Sequence, residues 1–312
     1  MLDGKTVSVV VPAYNEETLV ASTLATIPPF VDRIFVVDDA SRDGTAERAQ
    51  TGDPRVEVLR HERNRGVGAA IVTGYQAAMG AGMDVTAVMA ADGQMDPAEL
   101  AIFAGAVAAG ECDYAKANRL FMHGARDVIP RHRYFGNAIL SFLTKIASGY
   151  WHVADPEAGY TVISLETLRL LDLERLYPRY GFENDILVHL NVWSRRVRDV
   201  PSRPIYGVGE RSGIRLRRVV PAISWLLVKG FFWRLKEKYM IRDFHPLVLF
   251  YGLGILLTLG GLGLGIAITV LRILGNEVTA ATVVLVALML ISGLQFTLFA
   301  MLFDMEANRD LR

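Results

Sequence analysis

The chain has 312 residues, which is enough for one large domain or two small ones with a substantial core. Its 33 basic and 33 acidic side chains give a formal net charge of zero, so the chain-wide positive field of a nucleic-acid-binding protein is absent. A single cysteine, Cys112, excludes an intramolecular disulfide framework and a cysteine-based zinc site. A mean hydropathy of +0.28 indicates either an unusually large core or a part of the chain that lies in lipid.

The first 215 residues alternate strand-like and helix-like segments, a pattern that predicts an α/β fold. The N-terminus lacks the pattern of a signal peptide and leads directly into the first β-branched run. In a parallel sheet, ligands gather at the carboxyl ends of the strands. Residues 13–16, 38–39 and 92–94 occupy such ends and form the candidate site. The predicted strands are 7–11, 34–37, 56–59 and 85–89.

Two common nucleotide-binding motifs are missing from these positions. A dinucleotide-binding domain needs G-x-G-x-x-G after its first strand, but the first strand here ends in P-A-Y-N. The candidate glycine pair, Gly66 and Gly68, is followed by Ile71 at the place of the third glycine. The chain also lacks G-x-x-x-x-G-K-[ST], which excludes a P-loop nucleotidase.

Three motifs in the N-terminal part of the chain resemble those of the family 2 glycosyltransferases. They are V-V-V-P-A-Y-N-E at 9–16, V-D-D-A-S-R-D-G-T at 37–45 and N-R-G-V-G-A-A at 64–70, followed by Gly74. The resemblance extends to residue 215 and implies the GT-A nucleotide-sugar fold, a mostly parallel sheet with helices on both faces. It also implies a set of donor nucleotide-binding residues: Pro12, Tyr14, Glu16, Asp38, Asp39 and Asp92.

A fourth motif departs from the family pattern. Relatives carry D-x-D-x-Q, often continued by H-D-P, whereas residues 90–97 read A-A-D-G-Q-M-D-P, so that Ala90 replaces the first aspartate. The resemblance implies that Asp92 and Gln94 hold Mg²⁺ or Mn²⁺ together with water and the donor's phosphates, because hard cations prefer oxygen ligands. For Asp96 we expect a structural role, as the N-cap of a helix that begins at Pro97.

The acceptor side resembles the polyprenyl-phosphate glycosyltransferases, including dolichol-phosphate mannose synthases. Their G-S-R corresponds to A-N-R at 117–119, their D-x-x-x-G-[FY] to residues 155–160 and their late G-x-S-K to S-G-I-R at 212–215. The implied catalytic residues are Asp92, Arg119 and Asp155. The implied acceptor phosphate-binding residues are Arg119, Arg131, Arg133 and Arg215. A solvated surface helix explains Arg131 and Arg133 equally well, and Glu183 and Asp185 either face the donor sugar or cap a helix.

Two uncharged runs of 26 residues each, at 246–271 and 278–303, are long enough to cross a bilayer. Between residues 215 and 242 the chain carries eight basic residues against one acid, whereas the loop between the two runs carries one of each. The positive-inside rule therefore predicts that the catalytic domain and both termini are cytoplasmic, as at a bacterial inner membrane. The basic and aromatic stretch at 219–240 predicts a helix at the lipid surface or, alternatively, one packed on the domain.

These predictions combine into one architecture and one activity. Residues 1–215 form the GT-A catalytic domain, 216–244 a basic amphipathic juxtamembrane segment, 245–304 two transmembrane helices and 305–312 a cytoplasmic tail. The resemblance implies inverting transfer of one sugar from a nucleoside-diphosphate sugar to a polyprenyl phosphate. A different lipid or polysaccharide acceptor, or a non-catalytic membrane scaffold with a decayed transferase domain, are the open alternatives. The expected partners are both substrates and the membrane, a homo-oligomer stays open, and no nucleic acid is expected.

Overall fold

The structure, a computed structural model, describes residues 1–120, 131–203, 205 and 216–312, with the backbone alone described for residues 131–138 and 216–219. These residues divide into two units. The first unit comprises Met1–Phe232 and Asp310–Arg312, and the second comprises Trp233–Arg309.

In the described part of the first unit, a seven-stranded sheet forms the centre. The order across the sheet is β3-β2-β1-β4-β6-β5-β7 for strands numbered along the chain, and neighbours are parallel except that β6 is antiparallel to β4 and β5. The predicted mostly parallel sheet is confirmed. The strands are β1 (Val7–Ala13), β2 (Arg33–Asp38), β3 (Val56–Arg60), β4 (Val85–Val88), β5 (Tyr114–Asn118), β6 (Thr161–Ser164) and β7 (Val197–Pro201).

Helices cover both faces of this sheet. Because successive strand residues point to opposite faces, β1 sends Val9 and Val11 into one apolar cluster and Val10 into another. The helices are α1 (Val20–Thr26), α2 (Thr45–Ala49), α3 (Val67–Gly80), α4 (Leu100–Ala108), α5 (Arg131–Ser148), α6 (Leu165–Leu170) and α7 (Phe182–Val192), with 3₁₀ turns at Pro97–Glu99 and Leu173–Arg175. The first cluster includes side chains of α1 and α4, and the second includes side chains of α3 and α7.

The glycines of the third sequence motif allow α3 to approach its neighbours closely. A Cβ at Gly74 would lie 2.2 Å from Val10 Cγ1 on β1, and a Cβ at Gly68 would lie 2.4 Å from the Tyr177 carbonyl oxygen. Such distances are shorter than van der Waals contact, so neither position accepts a side chain without movement of its neighbour. Through these glycines α3 packs on the centre of the sheet and on the segment before α7.

The helix α8 (Leu216–Lys236) carries apolar residues on two faces. On one face Ile223 and Leu227 are buried, and Ile223 lies beside Gly181 at the start of α7. Another apolar set stays exposed: Val220, Trp225, Val228 and Phe232. The helix therefore packs on the first unit, which contains the predicted catalytic domain and is called the catalytic unit below. One of the two interpretations predicted this packing. Contact of its exposed apolar set with lipid stays a prediction.

The second unit contains a π-helical turn, Glu237–Arg242, and two long apolar helices, α9 (Leu247–Ile273) and α10 (Ala280–Ala307). Their most apolar stretches have mean hydropathies of 2.2 and 2.3, yet only 11% and 17% of those stretches is buried. A core helix of a soluble domain would be mostly buried, whereas a membrane span presents apolar side chains to lipid. The helices lie within a few residues of the predicted spans at 246–271 and 278–303, and the chain is a membrane protein.

A buried polar network joins the end of α10 to the segment before α9. Arg234 and Asp304, both fully buried, form a bidentate ion pair at 2.8 and 2.9 Å. The Tyr239 hydroxyl donates to Asp304 Oδ1 at 2.8 Å, and Lys238 Nζ donates to Asn308 Oδ1 at 2.7 Å. Burial and the charge of Arg234 lower the pKa of Lys238 to about 7. The sequence did not predict this network, because its partners are 65 to 70 positions apart.

Leu311, which follows both apolar helices in the chain, belongs to the first unit. Its side chain packs against the apolar cluster that contains Tyr150 and Leu168. Its carbonyl accepts a hydrogen bond from the Val197 amide at 3.0 Å. Because Val197 begins β7, an edge strand, a residue from beyond the apolar helices completes this edge of the sheet.

Candidate active site

The loops that follow β1 and β2 are joined to each other by hydrogen bonds. The Asn15 amide donates to Ser41 Oγ at 2.9 Å, and Asn15 Oδ1 accepts the Arg42 amide at 2.9 Å. The Glu16 amide donates to Thr45 Oγ1 at 2.8 Å. Asn15 has a φ of +57°, a left-handed conformation that asparagine adopts more readily than most residues. The two motifs therefore form one wall, which brings together Pro12, Tyr14, Glu16, Asp38 and Asp39.

Asp38 and Asp39, the predicted nucleoside ligands, are both buried in this wall. Arg60 Nε lies 3.1 Å from Asp38 Oδ2 and forms an ion pair with it. Asp39 accepts the backbone amides of Arg65 and Gly66, each at 2.7 Å. Both carboxylates thus organise the loops around them, and their contact with a nucleoside stays a prediction.

A cavity of ≈ 450 Å³ opens at the ends of β2 and β3. His61, in its wall, has Nδ1 2.7 Å from Asp39 Oδ1 and Nε2 2.9 Å from Thr73 Oγ1 on α3. The sequence predicted no role for His61, because its partners, Asp39 and Thr73, are 22 and 12 positions away in the chain. Polar side chains therefore line the space beside the predicted nucleoside ligands. The lining residues are Ala40, Ser41, Arg60, His61 and Glu62.

Asp92 lies in the turn after β4, the strand next to β1. The Gln94 amide donates to Asp92 Oδ1 at 3.0 Å, across a turn in which Gly93 has a φ of +71°. The Ala91 amide donates to the Pro12 carbonyl at 3.4 Å. The predicted metal residues Asp92 and Gln94 therefore share one turn, which is tied to the first of the donor loops.

The negative charge of the carboxylates around Asp92 favours the binding of a cation. Burial, followed by the negative charges of Asp92 and Asp43, raises the pKa of Glu16, so the loops hold carboxylates that repel one another. Among the residues whose placement is described, no group of three or more His, Cys, Asp or Glu side chains is arranged to hold a metal ion. Asp92 and Gln94 fit a hard cation when the donor's phosphates and water supply its other oxygen ligands.

Asp96 has the structural role that the sequence predicted. Its Oδ1 accepts the Ala98 amide at 2.9 Å, and Pro97 opens the 3₁₀ turn that leads into α4. Asp96 is therefore an N-cap. The Asp96 carbonyl also accepts a hydrogen bond from the Tyr160 hydroxyl at 3.1 Å, which ties the Asp92 turn to the loop on the acceptor side.

On the acceptor side, Arg119 and Asp155 form a bidentate ion pair. Arg119 Nε lies 2.7 Å from Asp155 Oδ2, and Nη2 lies 3.0 Å from Oδ1. Asp155 is buried, whereas 29% of the Arg119 side chain is exposed. Burial acts to raise the pKa of Asp155, but the hydrogen bonds and charge of Arg119, with the charge of Lys116, lower it. The structure thus brings together two of the predicted catalytic residues, and Asp155 fixes the orientation of the guanidinium.

The start of α7 brings Glu183 to the same region. A Cβ at Gly159 would lie 3.6 Å from Glu183 Oε1 and 3.5 Å from Met95 Cε, so this glutamate lies between the acceptor-side loop and the Asp92 turn. Burial raises the pKa of Glu183. Asp185 accepts the Tyr177 amide at 2.8 Å. The Glu183 carboxylate is hydrogen-bonded by the backbone amides of Gly181, the N-cap residue, and of Glu183 itself, which act to lower its pKa. Glu183 therefore contributes to the cap of α7, one of the two roles that the sequence left open.

Lys116 on β5 is a charged residue of this region that the sequence analysis missed. It is fully buried, and its Nζ donates a short hydrogen bond to the Ala158 carbonyl. Burial lowers its pKa, and nearby carboxylates act to raise it. In the sequence, Lys116 stands between two alanines, Ala115 and Ala117, which could have indicated a buried strand. The segment as a whole is too polar to be recognised as one.

Three of the predicted acceptor residues cannot be placed against these groups. Arg131 and Arg133 lie in α5, where the backbone alone is described, and Arg215 lies outside the described residues. Their contact with an acceptor phosphate stays a prediction. Arg119 is the predicted acceptor residue whose side chain the structure describes.

Comparison with known proteins identifies the family. The sequence profile of glycosyl transferase family 2 matches residues 8–170, just over half of the chain. The chain belongs to this family. It is a glycosyltransferase, as the sequence motifs predicted.

Several curated relatives of this glycosyltransferase have names that refer to a polyprenol-type lipid. A UDP-N-acetylglucosamine–dolichyl-phosphate N-acetylglucosaminyltransferase from Methanococcus voltae is 27% identical and aligns over 65% of this chain and 86% of the relative. An undecaprenyl-phosphate mannosyltransferase from Micrococcus luteus is 31% identical over 62% and 80%. A polyprenol monophosphomannose synthase from Mycolicibacterium smegmatis is 29% identical over 71% and 87%.

Solved structures share the fold of this glycosyltransferase. Glucosyl-3-phosphoglycerate synthase from Mycobacterium tuberculosis, crystallised with Mn²⁺, uridine diphosphate and glucosyl-3-phosphoglycerate, is 21% identical, with a TM-score of 0.56 over 74% of this chain and 80% of that one. A crystal of the same synthase with Mg²⁺ and uridine diphosphate gives 22% identity and a TM-score of 0.57 over 74% and 79%. At this identity the likeness concerns the fold alone, and the predicted GT-A fold is confirmed.

Proposed function

We propose that this glycosyltransferase moves one sugar, with inversion, from a nucleoside-diphosphate sugar to a polyprenyl phosphate at the membrane surface. The observation that carries the proposal is the link between the Asp92 turn and the loop of the Arg119–Asp155 pair, made by the hydrogen bond from Tyr160 to Asp96. A segment suited to a metal-bound diphosphate is thereby connected to the loop that pairs with a partly exposed arginine, which suits an anionic acceptor. The names of three relatives support the same acceptor class.

In this proposal the donor binds along the loops after β1, β2 and β4. Tyr14, which is 42% exposed, offers an aromatic face, and Ser41 and Arg60 offer hydrogen-bonding groups in the adjacent cavity. Asp92 and Gln94 would hold Mg²⁺ or Mn²⁺. Such a cation, when bound, offsets the negative charge that develops on the leaving diphosphate.

The acceptor needs little activation by the protein. A phosphate monoester has a second pKa of ~6, so its oxygen is already anionic near neutral pH. This oxygen attacks the anomeric carbon, the bond from that carbon to the nucleoside diphosphate breaks, and the diphosphate leaves from the opposite face with inversion. Arg119, oriented by Asp155, offsets the acceptor charge and fixes its position.

A lipid acceptor requires the site to lie beside the bilayer, and we assign this role to the juxtamembrane segment, residues 216–244. In α8, Trp225 and Phe232 are exposed, and Lys229 Nζ lies 5.4 Å from the centre of the Trp225 ring. Aromatic and basic side chains of this kind favour the headgroup region of an anionic membrane. We assign the catalytic domain, residues 1–215, and both termini to the cytoplasmic side.

Transfer of radiolabelled sugar from UDP- and GDP-sugars to undecaprenyl or dolichyl phosphate tests the proposal, with purified protein in lipid vesicles. We expect a lipid-linked sugar in Mg²⁺ or Mn²⁺, its loss in EDTA, and no product from Asp92→Asn. Asp172→Asn is the matched control, because Asp172 is a surface carboxylate, 55% exposed and paired with Arg175, and should keep wild-type activity. Transfer to water or to a soluble acceptor alone would contradict the lipid assignment.

A further inference from the structure

The positive charge of Lys116 lies inside the catalytic unit, on the strand that leads to Arg119. β5 ends at Asn118, so Arg119 directly follows the strand, three positions after the buried lysine, and both cations act on Asp155. Lys116 Nζ donates to the Ala158 carbonyl, and Ala158 belongs to the same loop as Asp155, the partner of Arg119. Lys116 is therefore hydrogen-bonded to the loop whose Asp155 orients Arg119.

Four carboxylates surround this lysine: Asp155, Glu157, Glu183 and Asp199. They come from the loop before β6, from α7 and from β7. Among the residues whose side chains are described, Lys116 and Arg119 are the cations that act on them. Burial raises the pKa of Glu157 to about 7, and it also raises the pKa values of Glu183 and Asp199. Within the described part of the chain, these acids therefore outnumber the cations that act on them, four to two.

We propose that Lys116 is a positioning residue for sugar transfer and acts through Asp155 on Arg119. Its buried charge neutralises part of the acidic group, so that Arg119 keeps the partly exposed position in which it meets an anionic acceptor. The inference rests on the proposed function, because it takes that acceptor to be a lipid phosphate. It assigns Lys116 no contact with either substrate.

Loss of the lysine has two physical consequences. The Ala158 carbonyl loses its donor, and the remaining negative charge attracts the Arg119 guanidinium more strongly, because opposite charges interact strongly where water is excluded. An incoming phosphate then meets a more negative site and a less accessible arginine. Both effects weaken acceptor binding. The hydrogen bond of Lys116 and the carboxylates that act on it belong to the loop before β6, to α7 and to β7, so donor binding should be unaffected.

The experiment compares Lys116→Met, Glu157→Gln and the double variant, with Lys5→Met as the control for loss of an exposed lysine. Methionine fills a similar volume without charge, and glutamine keeps the oxygen that accepts the Asn184 amide at 2.7 Å. For each full-length protein in lipid vesicles we would measure kcat, both KM values, and the binding of farnesyl phosphate and of free nucleotide by calorimetry.

We expect Lys116→Met to raise the acceptor KM and the farnesyl phosphate Kd by about tenfold or more, with nucleotide binding within about twofold of wild type. The double variant should recover most of the loss, because it removes one acid together with the cation. An unchanged acceptor KM and an unchanged farnesyl phosphate Kd in Lys116→Met would overturn this inference and leave the proposed function intact. Equal losses in donor and acceptor binding, or unfolding of both variants, would assign Lys116 a purely structural role. Wild-type protein that neither binds nor glycosylates a prenyl phosphate would overturn the proposed function itself.

Discussion

Ala90 occupies the position at which related metal motifs carry their first aspartate, two residues before Asp92. Its amide donates to Met95 Sδ at 3.2 Å, so the backbone at this position already belongs to the Asp92 turn. With an alanine here, Asp92 supplies the one carboxylate of the motif. Loss of Asp92 should therefore remove most of the charge that the protein offers a cation.

We expect Asp92→Ala to abolish transfer and weaken nucleotide-sugar binding in Mg²⁺ or Mn²⁺ while the melting temperature stays near that of wild type. Ala90→Asp should instead tighten the apparent metal affinity, because added carboxylate charge strengthens the binding of a hard cation. Turnover need not rise, since the product diphosphate is held more tightly too. Calorimetric titration of metal in the presence of nucleotide measures both effects. Near wild-type activity of Asp92→Ala in EDTA would contradict the metal role.

Replacement of Arg119 should weaken the binding of the acceptor and leave the binding of the nucleotide unchanged. We expect Arg119→Ala to raise the acceptor KM by roughly tenfold to hundredfold, since the loss of a charge-assisted contact costs ~1.5–3 kcal/mol, while nucleotide affinity is kept. Arg175→Ala is the matched control, because Arg175 is 71% exposed and pairs with a surface aspartate. Initial-rate kinetics give the acceptor KM, and calorimetry gives the nucleotide affinity. If nucleotide affinity collapsed and the acceptor KM stayed constant, Arg119 would belong to the donor site.

The residues that the sequence located share one property. Asp92, Arg119 and Asp155 each lie in a short motif that resembles one of the family's, so the resemblance implied them from a local stretch of sequence. Lys116 and Asp199 were not predicted, because their significance comes from contacts with partners 42 and 81 positions away. Such contacts depend on how β5, β6 and β7 are ordered, which no local pattern specifies.

At the scale of elements, two glycines of α3 differ in the space around them: one is closely packed and the other is open. A Cβ at Gly74 would meet Val10 at 2.2 Å, whereas a Cβ at Gly80 would meet nothing within 4 Å. We expect Gly74→Ala to lower the free energy of unfolding of the catalytic unit by ~1–3 kcal/mol through overpacking. Gly80→Ala should be neutral or raise it by up to ~1 kcal/mol, because alanine loses less conformational entropy on folding.

Thermal unfolding of the two alanine variants, in the same detergent and at the same protein concentration, measures this difference. Both substitutions add one methyl group to the same helix, so helix propensity changes alike in the two variants. Equal melting temperatures for Gly74→Ala and Gly80→Ala would show that α3 moves away from β1 without cost, contrary to the close packing that we describe.

The sequence predicted some elements and missed others for a physical reason. β1, β2 and β4 are mainly β-branched and apolar, and nearly all of their residues are buried. β3 is an edge strand in which Val56 and Val58 alternate with Glu57. All four strands were recognised. β5 and β7 contain Lys116 and Asp199, whose charges hide the strand pattern. The antiparallel insertion of β6 between β4 and β5 was not predicted, because it follows from long-range pairing. The apolar helices were predicted from length and composition alone.

At the scale of the whole molecule, the orientation of the apolar hairpin is a prediction that labelling can decide. Asn276 lies in the exposed turn between α9 and α10, on the side that we expect to be non-cytoplasmic. Asn276→Cys, with the buried Cys112 replaced by alanine, should react in intact cells with a membrane-impermeant thiol reagent. The Cys112→Ala protein without the new cysteine is the control. Labelling that appears only after lysis would reverse the orientation.

The buried pair of Arg234 and Asp304 should make the second unit sensitive to the loss of one partner. We expect Arg234→Met to destabilise that unit by ~3–5 kcal/mol, because it leaves a buried carboxylate without its cation. The double variant with Asp304→Leu should recover most of this loss, since an apolar pair removes both charges. Thermal unfolding in lipid vesicles measures the cycle. A double variant that is as unstable as Arg234→Met would indicate that the pair's role is geometric and not electrostatic.

The position of Leu311 has a consequence for biosynthesis. The edge of the sheet at Val197 gains its last hydrogen bond, and the cluster around Tyr150 its last side chain, from a residue synthesised after both apolar helices. At ~5–20 residues per second, the roughly 110 residues between β7 and Leu311 take on the order of ten seconds to translate. On the ribosome the catalytic unit therefore lacks this hydrogen bond and this side chain until the chain has been extended past both apolar helices.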